Sequence, residues 1–119
     1  MQRIKTYIID LDGTVIKHQP PAERHLPMEA LNNSVDSLHT IVKEGHKIIL
    51  MTARPLCCYA DTVAGLRSLG IDEVFDQIIF GVGSGERVVV NDLKPESDTP
   101  TAKCVNLKRN KGFNVGDLK

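Results

Sequence analysis

The sequence has few aromatic residues, no excess charge of either sign and no long apolar run. Aromatic residues make up 4% of its 119 residues and Trp is absent, which argues against the aromatic stacking platforms that bind single-stranded nucleic acid. The formal net charge is zero, so no overall field draws the chain to DNA or to an anionic membrane. No stretch of about 18 apolar residues and no signal-peptide pattern occurs. We therefore expect a cytoplasmic protein without a membrane partner.

Cysteine is scarce as well. Two of the three cysteines, Cys57 and Cys58, are adjacent, which does not fit a disulfide framework, and no His lies at zinc-finger spacing from them.

The one local excess of charge is basic and lies near the C-terminus, where it forms either a solvated face or a rim that attracts anions. Its members are Lys103, Lys108, Arg109, Lys111 and Lys119.

The composition is that of an ordinary globular protein, with 41% hydrophobic and 25% charged residues. A chain of this length fits one domain, covering residues 1–119. Short apolar runs alternate with segments of helical periodicity, which predicts an α/β fold built on a parallel sheet. The predicted strands cover residues 7–9, 47–51, 77–80, 88–90 and 103–107, and the predicted helices cover 28–44 and 55–70.

Polar residues follow three of the predicted strands. Parallel sheets bind ligands beyond the carboxyl ends of their strands, and neighbouring strands lie about 4.8 Å apart, so these side chains can converge. Acidic groups gathered at one point require a cation, and Mg²⁺ typically takes one or two carboxylates together with a substrate phosphate. The residues in question are Asp10 and Asp12, then Thr52 and Arg54, then Asn91 and Asp92.

The first of these segments resembles a known motif. Residues 7–15, which end in Ile-Ile-Asp-Leu-Asp-Gly-Thr-Val, are similar to the first motif of the haloacid dehalogenase superfamily of aspartyl-phosphate hydrolases. The later Thr52 and Asp92 follow in the order of that superfamily. The resemblance implies a three-layer α/β/α Rossmann-like parallel sheet and a Mg²⁺-dependent phosphatase.

The resemblance also implies roles for individual residues. Asp10 would be the nucleophile, and Asp12 would be the acid that protonates the leaving oxygen and then the base that activates water. Asp10, the carbonyl of Asp12 and Asp92 would hold Mg²⁺. Thr52 would donate a hydrogen bond to a phosphoryl oxygen.

Three further residues are expected to contact the substrate, and one departure from the superfamily concerns a lysine. Gly13, Ala53 and Arg54 complete the expected substrate site. Arg54 would make a bidentate contact to a phosphate or a carboxylate there, or it could equally form a surface ion pair. The superfamily usually has a Lys ahead of the late acidic strand, but residues 81–85 contain none. Lys94 would supply the charge as a catalytic residue, or else is a solvated loop lysine.

Neither position at which larger members carry a cap domain has room for one here, so we expect an open site. A bulky substrate would cover it, or a neighbouring subunit of a homo-oligomer would do so. The expected function is a phosphatase acting on a small sugar phosphate, since the late motif resembles capless members linked with capsule or sugar-phosphate metabolism. The alternative is a module that binds Mg²⁺ and phosphate with little or no turnover.

Overall fold

The computed structural model describes residues 3–119, in which three parallel strands alternate with two α-helices. The strand order is β1-β2-β3. Asp10 lies opposite Met51, and Met51 lies opposite Ile79, so the carboxyl ends of all three strands share one edge. The elements are β1 (Thr6–Asp10), α1 (Ser34–Lys43), β2 (Lys47–Met51), α2 (Tyr59–Ser68) and β3 (Gln77–Ile79), with single 3-10 turns at Pro21–Glu23, Leu56–Cys58 and Val115–Leu118. This α/β arrangement is compatible with a Rossmann-like fold.

Both helices end where the sequence predicts, but they begin later. Gly45 and Gly70 follow α1 and α2 with φ values of +86° and +73°, the left-handed conformation that stops a helix most readily at glycine. The first helix starts late because Ala30 pairs with Ile16 in an isolated β-bridge. None of the helices in the described part of the chain has the length and apolar character needed to span a bilayer.

One face of the sheet carries the hydrophobic core. Ile9, Leu50 and Ile78 lie opposite one another in the strand register and therefore point to the same side. Leu38 of α1 and Leu66 of α2 belong to the same cluster and are fully buried. Both helices therefore cover the same face, as expected when two right-handed crossovers run in the same direction along a sheet.

The opposite face of the sheet is apolar and largely uncovered. It carries Ile8, Ile49, Met51 and Ile79, none of which belongs to the buried core. Ile8 is 53% exposed and Ile79 is 38% exposed. The second helical layer of the expected three-layer arrangement is therefore not confirmed among residues 3–119.

A long segment after β3, which we call the arm (residues 83–106), projects from this body. Every residue of the arm is exposed except the half-buried Lys94, and the molecule measures 50 × 29 × 24 Å. The strands predicted at 88–90 and 103–107 do not form; the only bridge in the arm joins Leu93 to Pro100. These two predictions are wrong for the single chain, because a strand requires a hydrogen-bonded neighbour as well as a suitable sequence.

Candidate active site

Three of the residues predicted to carry chemistry lie at the shared carboxyl edge of the sheet. Asp10 is the last residue of β1, and Asp12 follows in the turn that leaves it. Thr52 follows β2 directly, and its N–H donates to the carbonyl of Ile79 on β3. Because β1 and β2 are adjacent, the edge brings two carboxyl groups and one hydroxyl group to the same part of the molecule.

The turn after β1 is a compact loop fixed by its own backbone. The carbonyl of Leu11 accepts hydrogen bonds from the N–H groups of Thr14, Val15 and Ile16, at 3.3, 3.0 and 3.2 Å. Gly13 has a φ of +85°, which favours glycine strongly. The N–H of Gly13 already donates to the carbonyl of Ile16 at 2.8 Å, so this amide does not point to a ligand, and substrate contact by Gly13 stays a prediction.

Arg54 lies inside the molecule and not on the substrate side of the edge. It is 1% exposed, and its Nε and Nη2 each donate to one oxygen of the Asp12 carboxylate at 2.8 Å. Nη2 also donates to Gln19 Oε1 at 2.9 Å, and Nη1 donates to Thr62 Oγ1 at 3.2 Å. Of the alternatives from the sequence, the geometry matches a bidentate contact to a carboxylate and not a surface ion pair. The donors of Arg54 are directed at protein groups, so a contact from Arg54 to the substrate stays a prediction.

This ion pair sets the charge state of Asp12. Burial on its own would raise the pKa of Asp12, but the hydrogen bonds and the charge of Arg54 outweigh it and lower the pKa below its usual range. The N–H of Gln19, 3.2 Å from Asp12 Oδ1, acts in the same direction. Asp12 is thus held as a carboxylate, in a fixed orientation that a bidentate arginine contact imposes.

Asp10 experiences the opposite effect. Although part of the residue faces solvent, partial removal of its carboxyl group from water raises its pKa, and the nearby charge of Asp12 adds to the rise. The N–H of Leu11, the charge of Arg87 and the Thr14 hydroxyl, 3.4 Å from Oδ2, offset only part of this. Two carboxyl groups two residues apart therefore differ in proton affinity, a pattern that acid–base sites often show.

Thr52 and Ala53 lie beside these groups on the next loop. Thr52 is 1% exposed, and its hydroxyl oxygen accepts a hydrogen bond from the N–H of Arg54 at 3.1 Å. A hydroxyl that accepts in this way can still donate its own proton, so the predicted bond from Thr52 to a phosphoryl oxygen remains open. Ala53 is exposed at the same edge.

Asp92 and Lys94 do not join the site within one copy. Asp92 is exposed on the arm, and the side chain of Lys94 lines a cavity with Arg3, which precedes the amino end of β1. Among residues 3–119 no group of three or more His, Cys, Asp or Glu side chains is arranged to hold a metal ion. The predicted ligand set of Asp10, Asp12 and Asp92 and the predicted catalytic position of Lys94 are therefore not assembled in the single chain.

The structure also brings residues to the site that the sequence did not indicate. Gln19 and Thr62 are buried partners of Arg54. The side chain of Arg109 packs over Gly13, where a Cβ atom would lie 3.0 Å from Arg109 Cγ, and the N–H of Asn110 donates to the Gly13 carbonyl at 2.8 Å. The basic C-terminal cluster was the only sequence signal for this contact.

Comparison with known proteins supports the fold and leaves the activity open. The sequence matches no family model, and no curated protein matches it significantly. A structural-genomics target from Vibrio cholerae is similar in structure, with 19% identity, a TM-score of 0.55 and coverage of 75% of this chain and 80% of that one. A conserved protein from Bacteroides thetaiotaomicron has 22% identity, a TM-score of 0.53 and coverage of 96% and 80%. A D,D-heptose 1,7-bisphosphate phosphatase from B. bronchiseptica, crystallised with magnesium and phosphate, has 18% identity, a TM-score of 0.49 and coverage of 75% and 56%.

Proposed function

We propose that this chain hydrolyses phosphate monoesters, with a small sugar phosphate or a related ester as its substrate, through a phosphorylated Asp10. The observation that carries the proposal is the pairing at the edge of the sheet. Asp10 ends β1 with no charged side chain hydrogen-bonded to it in the described residues, while Asp12, two residues later, is held by a buried arginine. One carboxylate is thus left available for attack, and the other is fixed in place to handle protons.

The reaction would proceed in two displacements. An Asp10 oxygen forms a bond to phosphorus as the bond from phosphorus to the ester oxygen breaks, and the leaving oxygen takes a proton from the protonated form of Asp12, which is the minor form at neutral pH. Water then attacks the aspartyl phosphate, Asp12 takes the proton from that water, and the bond from Asp10 to phosphorus breaks to release phosphate. The low pKa that Arg54 imposes on Asp12 suits the second step better than the first, so we expect proton donation to the leaving group to be the weaker half of the cycle.

Mg²⁺ fits this edge only in part. The Asp10 carboxylate and the main-chain carbonyl of Asp12, which accepts no backbone hydrogen bond in the described chain, would be its protein ligands. When bound, the ion would offset the negative charge on the phosphoryl oxygens. Magnesium sites commonly use one or two carboxylates with water and substrate completing the shell, so a single chain offers the minimum set.

The proposal is tested by release of phosphate from p-nitrophenyl phosphate, with and without Mg²⁺, followed by a panel of sugar phosphates. Asp10→Asn should abolish turnover, whereas Asp72→Asn, which changes a carboxylate on the loop after α2, should not. Mass spectrometry of acid-quenched enzyme should find the phosphoryl group on the peptide that contains Asp10. Equal rates for wild-type protein and Asp10→Asn would refute the enzyme proposal.

A second candidate function is a module that binds phosphate without hydrolysing it. The buried ion pair between Arg54 and Asp12 favours this function, because a carboxyl group with a lowered pKa is a poor proton donor. The position of Lys94 away from the edge favours it too. Calorimetric binding of inorganic phosphate, in a protein that shows no turnover on the whole panel, would support this function.

A further inference from the structure

The outer edge of β1 is open. β1 pairs with β2 alone, and its other edge, from Thr6 to Asp10, makes no backbone hydrogen bond within the chain from residue 3 onward. An open strand edge presents unpaired N–H and C=O groups and is a template for another strand. The uncovered apolar face that includes Ile8 adjoins this edge.

The arm contains a strand-forming sequence that has no partner. Val88, Val89 and Val90 are 74, 62 and 88% exposed. Three consecutive valines are typical of a buried strand, and neighbouring apolar side chains exposed in this way usually mark an interaction surface. The arm therefore has the sequence of a strand without a sheet to join.

The direction of the arm does not bring Asp92 to the site of the same chain. The arm follows Val82, whose N–H donates to the carbonyl of Thr52 at 3.1 Å at the carboxyl edge of the sheet. Further along the arm, Lys94 shares a cavity of about 380 Å³ with Arg3, which precedes the amino end of β1. The arm thus runs from the carboxyl edge of the sheet towards the amino end of β1, and it carries Asp92 away from Asp10 of the same copy.

A parallel return of the arm to its own β1, the direction that would bring Asp92 to the site, is also disfavoured by the length of the connection. Eight residues separate Ile79, the end of β3, from Val88. A parallel crossover usually needs about a dozen residues or more, and this one would have to pass all three strands. An antiparallel return needs no such crossover, but no backbone hydrogen bond joins the arm to β1 in the described chain, so the open edge of β1 is available to a second copy.

The surface area of the chain fits such a partner. The chain exposes 8154 Å², whereas a compact monomer of 13.1 kDa exposes about 6,400 Å². The excess is about 1,800 Å² per copy, so two copies together would bury about 3,500 Å², within the range of permanent dimers. The 24 residues of the arm are also about the number that each side of a stable interface contributes.

We propose that two copies of this chain exchange arms, so that residues 86–92 of each copy add as a strand parallel to β1 of the other. A two-fold axis perpendicular to the strands relates the two copies and sets their β1 strands antiparallel to each other. The partner's arm is antiparallel to the partner's β1, so it is parallel to the β1 strand of the first copy. Such an interface is closed, and it uses the same surface on both copies.

The exchange completes the site, and this part of the inference rests on the proposed function. With the partner's Val88–Val90 beside Ile8–Asp10, the partner's Asp92 lies level with the turn that contains Asp12, one strand spacing of about 4.8 Å away. The third carboxylate that the single chain lacks comes from the second copy. The partner's Lys94 follows at the same edge.

Sedimentation velocity tests the exchange without any reference to activity. The wild-type protein should sediment as a dimer of about 26 kDa, twice the 13.1 kDa of one chain. Val88→Lys should raise the dimer dissociation constant about tenfold or more, because it places a charge where an apolar side chain is buried. Val42→Lys, the same change at a position on α1 that is 42% exposed, should leave the constant unchanged. A monomeric wild-type protein, or equal effects of the two variants, would overturn the proposal.

Complementation tests whether the arm delivers Asp92 to the other copy. Asp10→Asn and Asp92→Asn should each be inactive alone. Co-expressed in equal amounts, half of the dimers are mixed and each mixed dimer has one intact site, so about a quarter of the wild-type rate should return. No recovery from a dimeric mixture would overturn the delivery of Asp92 in trans. An inactive wild-type protein would count against the proposed function alone, since the sedimentation result decides the exchange by itself.

Discussion

Replacing Arg54 with methionine should destabilise the protein far more than the loss of an ordinary ion pair. The change removes the guanidinium group and keeps an apolar chain of similar length. It leaves the Asp12 carboxylate, whose side chain is 14% exposed, without its charged partner. Gln19 Oε1 and Thr62 Oγ1 lose a donor at the same time.

The magnitude follows from the burial of the pair. Removing one partner of a buried ion pair typically costs about 3–5 kcal/mol, and for a chain of this length that lowers the melting temperature by about 12–20 °C. Arg67→Met is the matched control, since Arg67 pairs with Asp72 at 3.4 Å but its side chain is 71% exposed. A pair of that kind contributes about 0–1 kcal/mol.

The assay is thermal unfolding followed by circular dichroism between pH 3 and pH 7. In the wild-type protein the pKa of Asp12 is lowered, so its stabilising contribution is present at neutral pH and is lost as the pH falls through that lowered pKa. In Arg54→Met the Asp12 carboxylate is unpaired and partly buried, which raises its pKa. Protonation at acid pH therefore removes the unpaired charge and restores part of the stability of the variant. The difference in melting temperature between wild type and Arg54→Met should therefore become smaller as the pH falls. If Arg54→Met costs no more than Arg67→Met at pH 7, the reasoning about this pair is refuted.

Two other changes have clear expected outcomes. Gly112→Ala should destabilise the protein by more than about 2 kcal/mol in urea unfolding, because Gly112 has a φ of +74° and a Cβ atom there would overlap the backbone of Asn32. Gly45→Ala, at a φ of +86° with no atom within 4 Å of the added Cβ, should cost only the conformational strain of about 1–2 kcal/mol. Equal losses of unfolding free energy in the two variants would show that the Cβ at residue 112 does not overlap Asn32. Asp10→Asn, measured in EDTA, should be more stable than wild type at pH 7, because the raised pKa of Asp10 means that its carboxylate form disfavours folding. That difference in stability should disappear as the pH falls below 3.8, the ordinary pKa of an aspartate. If wild type is more stable than Asp10→Asn at pH 7, the carboxylate form of Asp10 does not disfavour folding.

The elements that could be predicted from the sequence are those whose signals are local. The apolar run that ends at Asp10, the run over 47–51 and the helix-ending glycines all rest on residues close in sequence, and the structure contains each of them. The strand predicted at 88–90 is absent from the single chain because a valine-rich sequence favours a strand but does not supply the hydrogen-bonded neighbour that a strand also needs. Which neighbour the valines pair with is not encoded within residues 88–90 themselves.

The same distinction applies to the candidate site. Asp10, Asp12 and Thr52 were predicted to lie together because a parallel sheet brings its strand ends to one edge, and the structure places them there. The partner of Arg54 could not be predicted, since Asp12 lies 42 residues away and no sequence pattern distinguishes an inward arginine from an outward one. Thr62, on the buried side of α2, gave only the ordinary signal of a helical residue.

The bonds of Arg54 have a consequence for how the site moves. One side chain joins the loop that leaves β1, through Asp12 and Gln19, to α2, through Thr62. The loop cannot swing away from the sheet without breaking bonds to a guanidinium group that is itself enclosed by the core, so the loop and the core should open as one cooperative unit. Amide protons of the loop should accordingly exchange with solvent at rates set by unfolding of the whole body. Because the loop does not act as a lid, the selectivity of the site must come from the rigid edge of the sheet and from the substrate or second subunit that covers it.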